Sequence, residues 1–475
     1  MPVIYSARWV LPIVAPPIED GAVAIEGSII LAVSARVDIV KRFPDAIIND
    51  FGEAAILPGF VNAHSHLELT AMRGFLEAEE NDFFAWLRKL TIARMAMTPE
   101  DLFVSATCGA IEAASAGITC AGDSSSAATE SMKALKRVGL RGVVYQESFG
   151  PDPNLANENV AKLQAQLSSM RKVETDFVRA GVSPHAPYTV SAPQLELISR
   201  LAIDQHFPLM MHAAESAAEE LLMLEGRGTF ADGLKTRNIE WKAPGVSTIQ
   251  YLKRHGVLET RPLLAHCINV DEEDLDLIKG ANAGVAHCPK SNAKLRHGHA
   301  PFASFIAHGI NVGLGSDSVA SNNTCDIFEE ARFATLMARV SEGRPSGRAH
   351  VGDRLVKDLH STVALPQGRA SDTVTAADAL FAGTLGGARA LGLDDRVGAL
   401  KEGMQADIAI ISLGGAHQTP VSNPIDALIF CSSGRDVILT IVAGKEIHRG
   451  QSVVTIDEAE CRSRLETIRR KIDQG

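Results

Sequence analysis

Short apolar, β-branched runs recur through the middle of the chain, each closing on a polar residue and each followed by a stretch long enough for a helix. They occupy 55–63 ahead of His64 and His66, 117–122 ahead of Asp123, 141–146 ahead of Glu147 and 177–184 ahead of His185. The same pattern continues at 207–211 ahead of His212, 262–265 ahead of His266, 283–286 ahead of His287 and 310–316 ahead of Asp317. Strands alternating with helical segments predict βα units around a parallel sheet, and eight of them predict a (β/α)8 TIM-like barrel over 58–395, with the polar residues crowning one rim. The first intervening helix is clearly punctuated: Thr98 as N-cap, Pro99 in the first helical position, Asp101 in the capping-box position and Gly117 as the stop.

Both ends of the chain read differently. Residues 1–57 are short strands with turns at Glu19-Asp20-Gly21 and Glu26-Gly27, and residues 396–450 are similar, with the clearest strands at 406–413 and 437–442. Neither part is long enough to form a stable layer alone, so the two are expected to join in a small discontinuous β-sandwich domain. Within 451–475, residues 457–473 form an amphipathic helix with Leu465, Ile468 and Ile472 on one stripe. The polar stretch at 341–372, containing Glu342-Gly343-Arg344-Pro345-Ser346-Gly347-Arg348, reads as an inserted loop or mobile flap.

Charge and composition narrow the function classes. The 475 residues carry 46 Lys plus Arg against 57 Asp plus Glu, a formal net charge of -11. With no basic run, nucleic acid is not an expected partner, and a small molecule is. No apolar stretch reaches the roughly 18–20 residues a bilayer requires, and the apolar start at 10–17 is broken by Pro12, Pro16 and Pro17, so neither a membrane span nor a signal peptide is expected. A cytoplasmic protein is the simplest expectation, with a homo-oligomer left open. The seven cysteines are scattered without a CxxC pair and read as reduced packing residues.

The chemistry begins at Asn62-Ala63-His64-Ser65-His66. Residues two apart in a strand project to the same side, so both imidazoles point into the barrel mouth, where they can share a metal. An isolated HxH is a modest signal, but His212, His266 and Asp317 end other strands of the same expected barrel. His64, His66, His212 and Asp317 together give three nitrogens and one carboxylate, a set that suits one divalent ion, Zn2+ or Fe2+, with a position left for water. His185, not a bridging lysine, ends the fourth strand, which favours a single ion. Glu215, three residues after His212, is placed to shuttle protons, and His266 to hydrogen-bond a hydroxide or an oxyanion. A Glu at a helix start also favours the helix dipole and a His at a strand end also caps it, but the set as a whole favours chemistry.

These residues carry a family resemblance. Asn62-Ala63-His64-Ser65-His66, His212-Ala213-Ala214-Glu215, Leu264-Ala265-His266-Cys267, His287-Cys288-Pro289-Lys290-Ser291-Asn292 and Gly315-Ser316-Asp317-Ser318, in that order, resemble the amidohydrolase superfamily, in its mononuclear aminohydrolase and chlorohydrolase branch. Gly403-Met404-Gln405-Ala406-Asp407 resembles that branch's returning sandwich strand. Within the branch, S-adenosylhomocysteine/methylthioadenosine deaminases and aminofutalosine deaminases look closest. His66-Leu67-Glu68-Leu69, Pro184-His185-Ala186-Pro187-Tyr188 and the run from Glu215 to Glu220 are similar to the aminofutalosine group, whereas a Pro-Met pair after the second histidine, commoner in the other group, is absent.

The resemblance implies a hydrolytic deaminase of an adenine-type nucleoside: aminofutalosine, methylthioadenosine, S-adenosylhomocysteine or adenosine. It implies His64, His66, His212 and Asp317 as ligands of an ion that lowers the pKa of its water towards about 7 for attack on C6 of the ring. Glu215 would protonate the ring nitrogen, Asp317 would carry a proton to the departing amine, and His266 would steady the oxyanion. Candidate substrate contacts are Glu147 and His185 for sugar hydroxyls, Trp86 for stacking, and Glu68 and Tyr188 for orientation. His287 and Asn292 are equally suited to bracing loops. Two alternatives stand beside this reading: hydrolysis of another amino- or chloro-substituted aza-ring such as a triazine or pterin, and a metal-stabilised barrel that only binds.

Overall fold

The eight rim-forming runs are all strands in a computed structural model whose described residues are 1–341 and 373–474. The segment expected to be an inserted loop or flap falls, apart from Ser341, outside the described residues. Strands β1 (Val3–Val10), β2 (Ile18–Glu26), β3 (Ile29–Ala35), β4 (Ile47–Asp50) and β5 (Ala54–Pro58) precede the barrel. The barrel strands are β6 (Phe60–Ser65), β7 (Ile118–Ser125), β8 (Arg141–Ser148), β9 (Val178–Pro184), β10 (Met210–Ala213), β11 (Leu263–His266), β12 (Gly284–His287) and β13 (Asn311–Leu314). After them come β14 (Ile408–Ser412), β15 (Val437–Val442), β16 (Lys445–Arg449) and β17 (Ser452–Val453).

The strands β6-β7-β8-β9 and β10-β11-β12-β13 form two parallel four-stranded sheets. A parallel bridge joins them at each seam, Val182 with Leu209 and Ser65 with Asp317. At the second seam the Asp317 N–H donates to the His64 carbonyl at 2.9 Å, which sets the ends of the first and last barrel strands side by side. Gly315 permits that approach, since a Cβ there would lie 2.9 Å from His64 Cβ and 2.8 Å from Cys288 Sγ. The helix Pro99–Ser115 starts on the expected capping box, with Thr98 and Asp101 bonding each other's backbone N–H, and stops at Gly117 with φ 79°.

Both ends of the chain enter one nine-stranded sheet ordered β17-β16-β15-β14-β5-β1-β2-β3, with β4 on β1. β5 is its keystone, parallel to β1 on one side and antiparallel to β14 on the other. Tyr5, Val23, Ile25, Ile56, Ile410 and Ile441, drawn from both ends, close an apolar interior within it. Among the described residues, no helix is long and apolar enough to cross a membrane.

A bidentate ion pair fastens this sheet to the barrel. Arg141 Nε and Nη2 donate to the two oxygens of Asp407 at 2.9 and 3.1 Å, and the Ala443 N–H donates to the same carboxylate at 2.8 Å. Both side chains are at most 3% exposed. Asp407→Ala would strand a buried guanidinium, so denaturant unfolding should show a loss of about 3–5 kcal/mol. Arg141→Met with Asp407→Leu, which removes both charges, should recover most of it. A single variant as stable as the parent would show the pair to be dispensable.

Candidate active site

The rim of β6, β10 and β13 brings four donors to one point. His64, His66 and His212 each offer a ring nitrogen, all lying within 4.8 Å of one another. His66 Nε2 is 3.3 Å from His212 Nε2, and Asp317 Oδ1 is 3.4 Å from His64 Nε2 and 3.5 Å from His66 Nε2. Two further contacts fix which atoms face inward. His212 Nδ1 donates to the His185 carbonyl at 2.9 Å, leaving Nε2 as the lone pair. Asp317 Oδ2 accepts from Ser291 Oγ at 2.5 Å and Ser321 Oγ at 2.7 Å, leaving Oδ1 for the cluster.

Electrostatics favour a cation at this point. Burial pushes His64, His66 and His212 below the ordinary imidazole range, so each presents a neutral nitrogen. Burial alone would raise Asp317, but its contacts with the His64 and His66 imidazoles hold it well below the usual carboxylate range. Both nitrogens of His64, fully buried, have no hydrogen-bond partner among the described residues. Orphaned buried nitrogens are costly unless something else occupies their lone pairs. The donor set of three imidazoles and a carboxylate therefore fits a divalent ion such as Zn2+.

Beside the cluster, His266 Nε2 lies 3.7 Å from Glu215 Oε1, and the Tyr188 hydroxyl donates to Glu215 Oε2 at 3.2 Å. His266 Nδ1 donates to Asn292 Oδ1 at 2.8 Å, which turns its Nε2 towards the site. Glu215 is held from behind: the N–H groups of Ala214 and Glu215 both donate to the buried Glu219 carboxylate at 2.9 Å, and burial pushes Glu219 up to about 7. Ala214, His266, Cys267 and Asp317 all have left-handed backbone, with φ of 52°, 73°, 47° and 54°. Such conformations in non-glycine residues cost about 1–3 kcal/mol each, and here they turn the strand ends so that the side chains converge.

These groups open onto a cavity of about 710 Å³. His66, His212, Asp317, Glu215 and His266 line its floor, and Phe83, Trp86, Tyr188 and Phe230 its walls. Tyr188 stacks on Phe230 with centroids 4.0 Å apart. Glu147 lies 3.7 Å from Arg94 and 3.8 Å from His66 Nδ1. His185, pushed down to about 3 by burial, donates or accepts through Nδ1 at Thr189 Oγ1, 2.9 Å away. Glu68 also reaches the cavity, but its carboxylate accepts from the Ser126 N–H and hydroxyl, the Ala127 N–H and the Ser125 hydroxyl, so it secures the β7 loop.

Several site residues escaped the reading of the sequence. Glu219 was signalled by Ser216 three positions earlier, an N-cap pattern the helix Ala217–Glu225 uses. Ser291 lies in the run His287–Asn292, yet nothing local marks it as the partner of Asp317, and Asn292, named as suited to bracing a loop, instead bonds His266. Arg94 and His297 had no signal at all.

The family comparisons agree with this geometry. Residues 55–447 match the family model described as Amidohydrolase family. The chain is 31% identical over 458 residues to 5-methylthioadenosine/S-adenosylhomocysteine deaminase of Halothermothrix orenii, covering 96% of this chain and 95% of that protein. Among solved structures, an adenosine deaminase from Xanthomonas campestris with bound zinc superposes with a TM-score of 0.83 at 26% identity, covering 100% of this chain and 99% of that one. Helicobacter pylori aminofutalosine deaminase shares the fold, with a TM-score of 0.73 at 20% identity over 94% of this chain and 100% of that one. The barrel, the sheet built from both ends and the matched span lead to one conclusion: this chain belongs to the amidohydrolase family and is a hydrolase.

Proposed function

We propose that this enzyme deaminates an adenine-type nucleoside, replacing the C6 amino group by oxygen from water and releasing ammonia. The observation that carries the reading is the convergence of three neutral imidazoles and Asp317 with the Glu215–His266 pair on the floor of one cavity. The deaminases similar to this chain support it. His64, His66, His212 and Asp317 would hold one divalent ion, Zn2+ by its donor set with Fe2+ as the alternative. When bound, that ion supplies Lewis acidity that makes water a nucleophile near neutral pH.

The chain's own groups do the rest. Glu215 delivers a proton to the ring nitrogen next to C6, so that electrons displaced by the incoming oxygen come to rest on a neutral N–H. Asp317 accepts a proton from the attacking water and passes it to the amino group, which departs as ammonia. His266, its Nδ1–H held by Asn292 Oδ1, presents the Nε2 lone pair to the attacking oxygen and accepts a hydrogen bond from its O–H. Of the residues lining the cavity, Glu147 and His185 would take the sugar hydroxyls, Trp86 the base or its substituent, and Tyr188 would orient Glu215.

The cavity is larger than a bare nucleoside requires, and Arg88 and Arg237 stand at it without a side-chain ion pair among the described residues. A nucleoside with an anionic extension, such as S-adenosylhomocysteine or aminofutalosine, is therefore favoured over adenosine. Ammonia release from adenosine, methylthioadenosine, S-adenosylhomocysteine and aminofutalosine should give the highest kcat/KM with one of the two carboxylate-bearing compounds. Absence of ammonia from all four, with halide released from a chloro-substituted triazine, would replace this reading by the alternative. With the preferred nucleoside, Trp86→Phe should raise KM and Trp86→Ala should raise it further, by roughly 5- to 100-fold, the effect of losing an aromatic stacking surface. An unchanged KM in both variants would remove Trp86 from the binding site.

A further inference from the structure

His297 is a buried imidazole that the proposed reaction leaves without a task. Its side chain is 6% exposed, and neither ring nitrogen has a hydrogen-bond partner among the described residues. Its Nδ1 lies 3.6 Å from Glu215 Oε1, as near to that oxygen as His266 Nε2 at 3.7 Å. The edge of the ring rests against Phe83, with centroids 4.3 Å apart and planes at 83°, so the imidazole is wedged between an aromatic wall of the cavity and the carboxylate. Its backbone is fixed as well, the His297 N–H donating to the Asn292 carbonyl at 2.9 Å, and Asn292 is the residue that orients His266.

A buried imidazole with both nitrogens unpaired is expensive to keep, and the carboxylate beside it is Glu215. Hydrogen bonds around catalytic groups are often long before substrate arrives and shorten when the site fills. Burial favours the neutral ring, which carries one N–H, and a proton on Nδ1 would lie beside Glu215 Oε1.

We infer that His297 is a positioning residue for Glu215, its Nδ1–H closing onto Oε1 when substrate binds and holding the carboxyl group in the orientation that reaches the ring nitrogen. The inference rests on Glu215 being the proton carrier. With Tyr188 on Oε2 and His297 on Oε1, the carboxyl group would be fixed at both oxygens. Among the described residues His297 is not part of the cavity lining and makes no hydrogen bond to the proposed metal ligands.

The test compares His297→Phe, which keeps a ring but removes the donor, with His297→Asn, whose side-chain N–H can occupy the place of Nδ1–H. His297→Phe should lower kcat by about 10- to 100-fold, the effect of losing one hydrogen bond to a charged group, with KM and metal content unchanged. His297→Asn should restore most of the loss, and His297→Phe added to Glu215→Gln should cost nothing further. The inference is overturned by an unchanged kcat in His297→Phe, or by equal damage in both variants accompanied by lower melting temperature or metal content. The second result would make His297 a packing residue. Wild-type turnover in Glu215→Gln alone would instead remove the reading on which the inference rests.

Discussion

Glu215→Gln should fold normally, retain its metal and lose turnover by roughly 100- to 10,000-fold. The amide keeps the shape of the carboxyl group and can still meet the Tyr188 hydroxyl, so packing around it changes little. It cannot carry a proton from water to the ring. The Ala214 and Glu215 N–H groups, which set the backbone there, remain bonded to Glu219 in the variant. Because the defect is in proton transfer, kcat should fall far more than KM rises, and substrate should still bind to the inactive enzyme in a calorimeter. Normal turnover with normal metal content would transfer the proton to another group, with His266, which lines the cavity floor 3.7 Å from Glu215, the first candidate.

His64→Ala should lose metal and activity together. His64 is the most deeply enclosed donor of the cluster, and in the absence of an ion its nitrogens have nothing to bond. Removing it takes one of three imidazoles from a site whose remaining members already depend on His185, Ser291 and Ser321 for orientation. Metal analysis after dialysis should show the parent near one ion per chain and the variant near none, with activity reduced by orders of magnitude. A chelator should lower the melting temperature of the parent, because an ion bound only by the folded state stabilises it, and should leave that of the variant unmoved. Full metal content in His64→Ala would move the ligand set elsewhere on the rim.

The barrel strands and the histidines gathered at their rim were legible because they rest on short periods. A strand alternates every two residues, so His64 and His66 share a face wherever the strand lies, and a polar residue closing each apolar run has to sit at a rim. Tail-helix packing was legible for the same reason: the spacing of Ile468 and Ile472 predicts a buried stripe, and both are buried in the apolar cluster that also contains Trp86. Roles that depend on a distant partner were not. Glu68 is followed by no local sign that Ser125, Ser126 and Ala127 will claim its carboxylate. His297 reaches Glu215 through an irregular loop after the helix Pro289–Lys294, where no periodicity constrains a side chain. Pairing of β5 with both β1 and β14 was equally hidden, since register between remote segments is fixed by tertiary packing and not by local pattern.

The central place of β5 also has a consequence for biogenesis. As the polypeptide emerges from the ribosome, β1 to β5 are made first, and the edge of β5 that will receive β14 stays bare until the entire barrel has been synthesised. Ala54, Ala55, Ile56 and Leu57 are all buried in the finished protein, so during that interval an apolar strand with free N–H and C=O groups is open to neighbouring nascent chains. Slow maturation, sensitivity to expression temperature and dependence on chaperones during overproduction are the expected signs of this order of events.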